Sequence, residues 1–182
     1  MIHLPTAVQA FLAFIVILAA IFDLRWRRVP NWLVFSGLVL GLGINLFVSG
    51  TGGLWMSLKG AGLAFVIYFP LYLLRGIGAG DVKLATAVGA IVGPVNWFGI
   101  FVWTLAFRGI AALILILTRR RLRRSLANIR AILTGIGSAK APYANNSQLD
   151  VRSADSVRLP HAAIIALGTL AFLVASAVRT AR

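Results

Sequence analysis

Two aspartates stand where chemistry needs an explanation. Asp23 closes one apolar run in Phe22-Asp23-Leu24-Arg25-Trp26-Arg27-Arg28-Val29-Pro30-Asn31, and Asp81 opens another in Gly76-Ile77-Gly78-Ala79-Gly80-Asp81-Val82-Lys83-Leu84. A carboxylate in lipid costs about 2.5–3.5 kcal/mol even on a lenient insertion scale, so such groups usually face a bundle interior. Two carboxyls held close in a partly dry site cannot easily both ionise and come to share one proton. The ionised member of such a pair can take a proton from water while the protonated member hydrogen-bonds a scissile carbonyl, with no metal and no covalent intermediate. Structural roles stand beside this one. An acid at a helix start can cap free N–H groups, which accounts for Asp81 alone, and a juxtamembrane ion pair with Arg25 or Arg27 accounts for Asp23 alone. Gly78 and Gly80, lacking Cβ, could take positive φ or admit a second chain closely.

The elements that must position these acids are membrane spans. The chain has 182 residues, 60% hydrophobic and 12% charged, against roughly 45–50% and about 25% in soluble domains, and its mean hydropathy is +0.92. At about 20 apolar residues per crossing there is room for about five or six spans and no separate soluble domain. The expected fold is all-α and polytopic, one membrane domain over residues 1–182. Six spans are expected at roughly Pro5–Phe22, Asn31–Val48, Met56–Leu74, Val82–Val92, Val95–Leu117 and Pro160–Val178. The fourth is short and starts at the segment holding Asp81. The segment Thr118–Leu159, basic and then polar, reads as a cytoplasmic loop with an interfacial helix at its basic end.

The charges orient the bundle. There are 18 Lys and Arg against 4 acids, a net charge of +14, and the cations cluster between alternate apolar runs. Arg25, Arg27 and Arg28, then Arg75 and Lys83, then Arg119–Arg130, mark three loops as cytoplasmic, whereas Ser49–Trp55 and Gly93–Pro94 carry no charge. Both termini are therefore expected outside the cytoplasm, with both aspartates at the cytoplasmic ends of their helices. The basic clusters suit anionic lipid headgroups. They lack the interleaved aromatics of a nucleic-acid surface, so no nucleic-acid partner is expected.

Other chemistries are excluded by composition or spacing. Zero cysteines remove disulfides, thiolate metal sites and cysteine nucleophiles. His3 and His161 are expected on opposite sides, so no metal site is expected. The string Gly76-x-Gly78-x-Gly80 lacks the spacing, strand and βαβ unit of a dinucleotide loop, and no cofactor is expected. The first 20 residues carry no Lys or Arg, which reads as a retained helix rather than a cleaved signal. Arg108, inside the fifth span, is expected to snorkel or bond within the bundle. Trp26, Trp32, Trp55, Trp97 and Trp103 fall mostly near span ends, as interfacial anchors do.

At the two aspartate segments the sequence resembles the type IV prepilin peptidase family, membrane aspartic proteases of the GxGD kind. Gly78-Ala79-Gly80-Asp81 matches that signature, Val82-Lys83-Leu84 is a typical continuation, and Asp23-Leu24-Arg25-x-x-Arg28-Val29-Pro30-Asn31 resembles the segment carrying the first catalytic Asp. The resemblance covers residues 5–117. It implies Asp23 and Asp81 as the catalytic pair, supported by Gly78, Gly80 and Lys83, with Arg25 and Arg108 as secondary candidates. It further implies prepilin or pseudopilin substrates, cut after a Gly at the cytoplasmic edge of a hydrophobic segment, in the bacterial inner membrane beside pilus assembly machinery. The compact size and Leu159-Pro160-His161 before the last span resemble the short branch serving Flp/Tad (tight adherence) pili. Longer members carry a cysteine-bearing N-terminal region and methylate the new pilin N-terminus; with no cysteine in this sequence, methyltransferase activity is not expected. Two rival functions remain open from the residues themselves: a small proton-coupled transporter using the same Asp pair, and a non-catalytic assembly subunit.

Overall fold

The computed structural model describes residues 4–118 and 160–180, and among these every regular element is an α-helix. They are α1 (Thr6–Trp26), α2 (Asn31–Leu73), α3 (Ala79–Thr118) and α4 (His161–Thr180). All four are long and apolar enough to cross a membrane. The segment 119–159, where the sequence places a cytoplasmic loop and an interfacial helix, lies outside the described residues.

Two of these helices are far longer than the roughly 20 residues a crossing needs: α2 has 43 and α3 has 40. Each contains one non-helical glycine with positive φ, Gly50 at +60° and Gly93 at +73°, a conformation that costs glycine little. At both points the chain turns back on itself. In α2 the stretch after Gly50 lies against the one before it: a Cβ on Gly53 would run into the Asn45 carbonyl, and Ser57 Oγ is 3.4 Å from Gly41 O. In α3 the Trp97 indole Nε1 donates to Ala85 O at 3.1 Å, a reach that a straight helix would forbid.

The second turn-back has its own chemistry. Pro94 has no N–H, so Ala90 O loses its helical partner, and in a membrane each such group must be satisfied inside the protein. Asn45 Nδ2 donates to Ala90 O at 3.2 Å and Ile91 O at 3.1 Å, while Ser57 Oγ donates to Ala90 O at 2.5 Å. Small residues let the backbones come this near. A Cβ on Gly60 would strike the Gly89 carbonyl, and one on Gly89 would strike the Gly60 carbonyl.

Three sequence expectations change here. The uncharged stretch Ser49–Trp55 reads as a loop, yet helix continues on both sides of Gly50, because a single glycine at positive φ is enough to reverse the chain. The helix expected to start at Val82 begins instead at Ala79, so that Asp81 lies within its first turn. Trp97 is 2% exposed and bonded to Ala85 O, so it is a core residue; Trp26, Trp32 and Trp55 are exposed, as anchors are.

α4 runs antiparallel to the second half of α3, with Phe172 against Gly99 and Thr104 against Gly168. It also packs on α1. The outer surface carries Phe14, Phe35, Phe47, Val66, Leu113 and Val174, which suits lipid chains. Asp23, Asp81 and the start of α4 thus share one end of the bundle, and Gly50 and Gly93 mark the other.

Candidate active site

Asp23 belongs to the buried face of α1. Val8, Leu12, Ile15, Val16, Ala19 and Asp23 are its buried residues, a helical stripe that an acid terminates. One turn further on, Arg27 takes φ +54° and its N–H bonds Asp23 O at 2.9 Å, ending the helix in a left-handed cap. Pro30 then fixes the entry to α2.

The side chain of Asp23 has a partner far off in sequence. Its Oδ2 accepts the N–H of Ala162, in the first turn of α4, at 2.9 Å. The first N–H groups of a helix have no partner inside it and are commonly met by Ser, Thr, Asp or Asn at the cap. Pro160 precedes α4 and offers no such side chain. Asp23 supplies the acceptor from α1 instead, with the α4 dipole favouring its negative charge.

Asp81 is held by the same kind of contact. The chain leaves α2 through a Schellman ending, with Gly76 N–H on Leu71 O at 2.9 Å, Arg75 N–H on Tyr72 O at 2.9 Å, and Arg75 itself at φ +55°. Two residues later Gly78 caps α3, and Asp81 Oδ2 reaches back to accept the Gly78 N–H at 3.1 Å, the acidic half of a capping box. Asp23 and Asp81 are both buried, and Asp81 lies within reach of the Asp23 charge. No hydrogen bond joins the two carboxyls among the described residues. Among the described residues each has one oxygen fixed by a helix N-terminus and no hydrogen bond at the other, an arrangement suited to moving a proton to or from a molecule between them.

The remaining site residues divide. Arg108 is half-buried and lies with Nη2 3.0 Å from Nδ1 and 3.3 Å from Nε2 of His161. A guanidinium only donates, so the ring nitrogen it bonds is the bare one. Its charge also reaches Asp81 and Tyr68, so Arg108 belongs to this end of the bundle rather than snorkelling. His161 joins it beside the Ala162 N–H that holds Asp23. Lys83 is exposed and donates to Asn31 Oδ1 at 3.0 Å, tying the start of α3 to the start of α2. Arg25 is exposed over the Trp26 ring at 5.3 Å. Both point away from the carboxyls, since residues two apart on a helix do not share a face.

Gly78 and Gly80 correct a detail. Neither has positive φ. Gly78 gives α3 a cap whose Cβ would lie 3.4 Å from Asp81 Oδ2, and Gly80 packs in ordinary contact on Val29, 3.8 Å from where its Cβ would be. Ala162, Pro160 and Tyr68 are site residues that sequence reasoning missed. The signal for the first two was a helix beginning at a proline with no side-chain cap.

Among the described residues no cluster of three or more His or acidic groups could hold a metal ion. A model of the type IV leader peptidase family matches residues 10–117, a stretch that contains both aspartates and Arg108. Comparison with curated proteins and with solved structures returned no match.

Proposed function

The chain belongs to the type IV leader peptidase family, and from that premise we propose that it is a membrane aspartic endopeptidase in which Asp23 and Asp81 are the catalytic pair. The observation that carries the reading is the shared burial of two carboxyls at one end of the bundle, each pinned through a single oxygen to a helix N-terminus. The pinning fixes two rotamers without using up the second oxygens. One aspartate, ionised, takes a proton from water as the water oxygen attacks the scissile carbonyl carbon. The other, protonated, donates to the carbonyl oxygen. The tetrahedral intermediate then collapses as the leaving nitrogen receives a proton and the C–N bond breaks, which returns the pair to its starting state. Arg108, held on His161, contributes positive potential at the edge of this site. Gly78 shapes the cap that aims Asp81.

The substrates are prepilins or pseudopilins of the Flp/Tad kind, cut where a hydrophobic segment meets the cytoplasm of a bacterium with an inner membrane. On this reading the turn-backs at Gly50 and Gly93 divide α2 and α3 into two crossings each, which with α1 and α4 would make six, with both chain ends outside the cytoplasm and the carboxyl end facing inward. The arginine distribution supports that orientation. Co-expression of the chain with a candidate prepilin should yield a shortened product that D23N and D81N fail to make. Cleavage by either variant, in a host without its own prepilin peptidase, would refute the pair. Cysteines placed at Ser125 and Ser147 should label only from the cytoplasmic side and one at Thr51 only from outside; the reverse pattern would overturn the orientation.

A further inference from the structure

Tyr68 is 4% exposed, on the half of α2 that follows Gly50. Its ring meets Trp97 and Phe101 edge-on, with centroids 6.1 and 6.0 Å apart, and Trp97 is locked by its bond to Ala85 O. Ala85 lies one turn beyond Asp81 on the same buried face of α3. Gly60 lies against Gly89 and Met56 against Gly93 where these segments run antiparallel, a register that brings Tyr68 level with Asp81. Its hydroxyl is in electrostatic reach of Asp81 and Arg108, yet it makes no hydrogen bond among the described residues. A buried phenol normally finds a partner, and leaving one without costs about 1–3 kcal/mol. An unpaired donor at the level of the reacting groups is what a site keeps for a charge that develops only during reaction.

We propose that Tyr68 is a further catalytic residue, its hydroxyl donating a hydrogen bond to the scissile carbonyl oxygen as that oxygen gains negative charge. The inference rests on the two-aspartate reading. The phenol keeps its proton throughout; the bond to the carbonyl oxygen shortens in the tetrahedral state and relaxes when the C–N bond breaks. Arg108 favours the same negative charge from a greater distance.

The test is Y68F in the purified full-length protein, assayed on a peptide that carries the cleavage segment and hydrophobic stretch of a candidate prepilin. A hydroxyethylene analogue of the same peptide, which mimics the tetrahedral state, serves as inhibitor. Removing a sole oxyanion donor costs about 10²–10³ in kcat. Because the protonated aspartate remains, Y68F should lose about 10- to 100-fold in kcat with KM unchanged, and its affinity for the analogue should fall by the same factor as kcat/KM. Its thermal midpoint should equal or exceed that of the parent. An unchanged kcat would overturn the proposal. So would an equal weakening of substrate and analogue, or a Y68F protein that melts early or fails to fold, since each would give the hydroxyl a structural role. D81N in the same assay separates the two readings: activity in D81N removes the aspartate pair itself, whereas an inactive D81N beside a normal Y68F removes only Tyr68.

Discussion

The two ends of the bundle solve one problem with opposite chemistry. At the Gly93 end, the Ala90 carbonyl, stripped of its helical partner by Pro94, and the adjoining Ile91 carbonyl are met by neutral donors, the Asn45 amide and the Ser57 hydroxyl. At the other end, N–H groups left over at helix starts are met by acids, Asp81 on Gly78 and Asp23 on Ala162. The choice follows from the polarity of a helix, whose C-terminal end exposes acceptors and whose N-terminal end exposes donors. Both ends are polar, buried and hydrogen-bonded, so polarity inside a membrane does not by itself mark the chemistry. Spare capacity does. Asn45 divides its amide among three carbonyls, counting Gly41 O at 2.9 Å, whereas each carboxyl commits one oxygen and retains another.

Substitutions at the two ends should therefore fail in different ways. D23N and D81N keep volume and can still accept the backbone N–H through the amide oxygen, so the protein should insert and fold while cleavage falls by more than about a thousandfold, the upper range for lost acid–base catalysis. The double variant should be no worse than either single one, because groups that act as a unit are non-additive. Activity of the parent should fall on both sides of a pH optimum. The acid limb reports protonation of the ionised member and the alkaline limb ionisation of the protonated one, with both apparent values belonging to the pair. A single-limbed profile would break the analogy between pinned carboxyls and a shared proton.

At the Gly93 end the largest effect should be steric. G60A and G89A each put a Cβ into a backbone carbonyl that no side-chain rotation can move. Overpacking of this kind costs about 1–3 kcal/mol, read as an earlier thermal midpoint in detergent, while the kcat of the folded fraction stays near the parent's. N45A should cost less, about 0.6–1.7 kcal/mol, the range from average to maximal for an interhelical hydrogen bond in a membrane bundle. Loss of kcat in N45A without loss of stability would erase the distinction between the two ends.

Much of the site could be read from the chain because it rests on local rules. The apolar runs placed the helices, and the scarcity of acids beside those runs singled out Asp23 and Asp81. Gly93-Pro94 announced its break, since a residue without an N–H after a glycine leaves a helix little choice. The Gly50 turn was read too generously as a loop, because Ser49, Thr51, Gly52 and Gly53 look like loop residues, whereas one glycine at positive φ reverses the chain and leaves its neighbours helical. Contacts across the bundle were beyond reach. Nothing near Asp23 announces Ala162, and nothing near Arg108 announces His161. The one clue was negative, a final helix that starts after Pro160 with no cap of its own.

Lys83 and Arg25 provide the finest test of the comparison, because chain proximity and helix geometry disagree about them. Each lies two residues from a catalytic candidate, which by proximity makes it a partner of that carboxyl. Two residues correspond to about 200° around a helix, so geometry sends each side chain outward, Lys83 to Asn31 Oδ1 and Arg25 over Trp26. An exposed hydrogen bond and an exposed cation on a ring are each worth about 0.5–1 kcal/mol. K83A and R25A should therefore shift thermal stability by no more than that. They should leave kcat within about twofold and the pH optimum in place, since neither cation is positioned to bias the pair. A displaced optimum in R25A or K83A would mean that the charge reaches the carboxyls after all. The site would then extend to the exposed face of its helices rather than ending at the buried stripe.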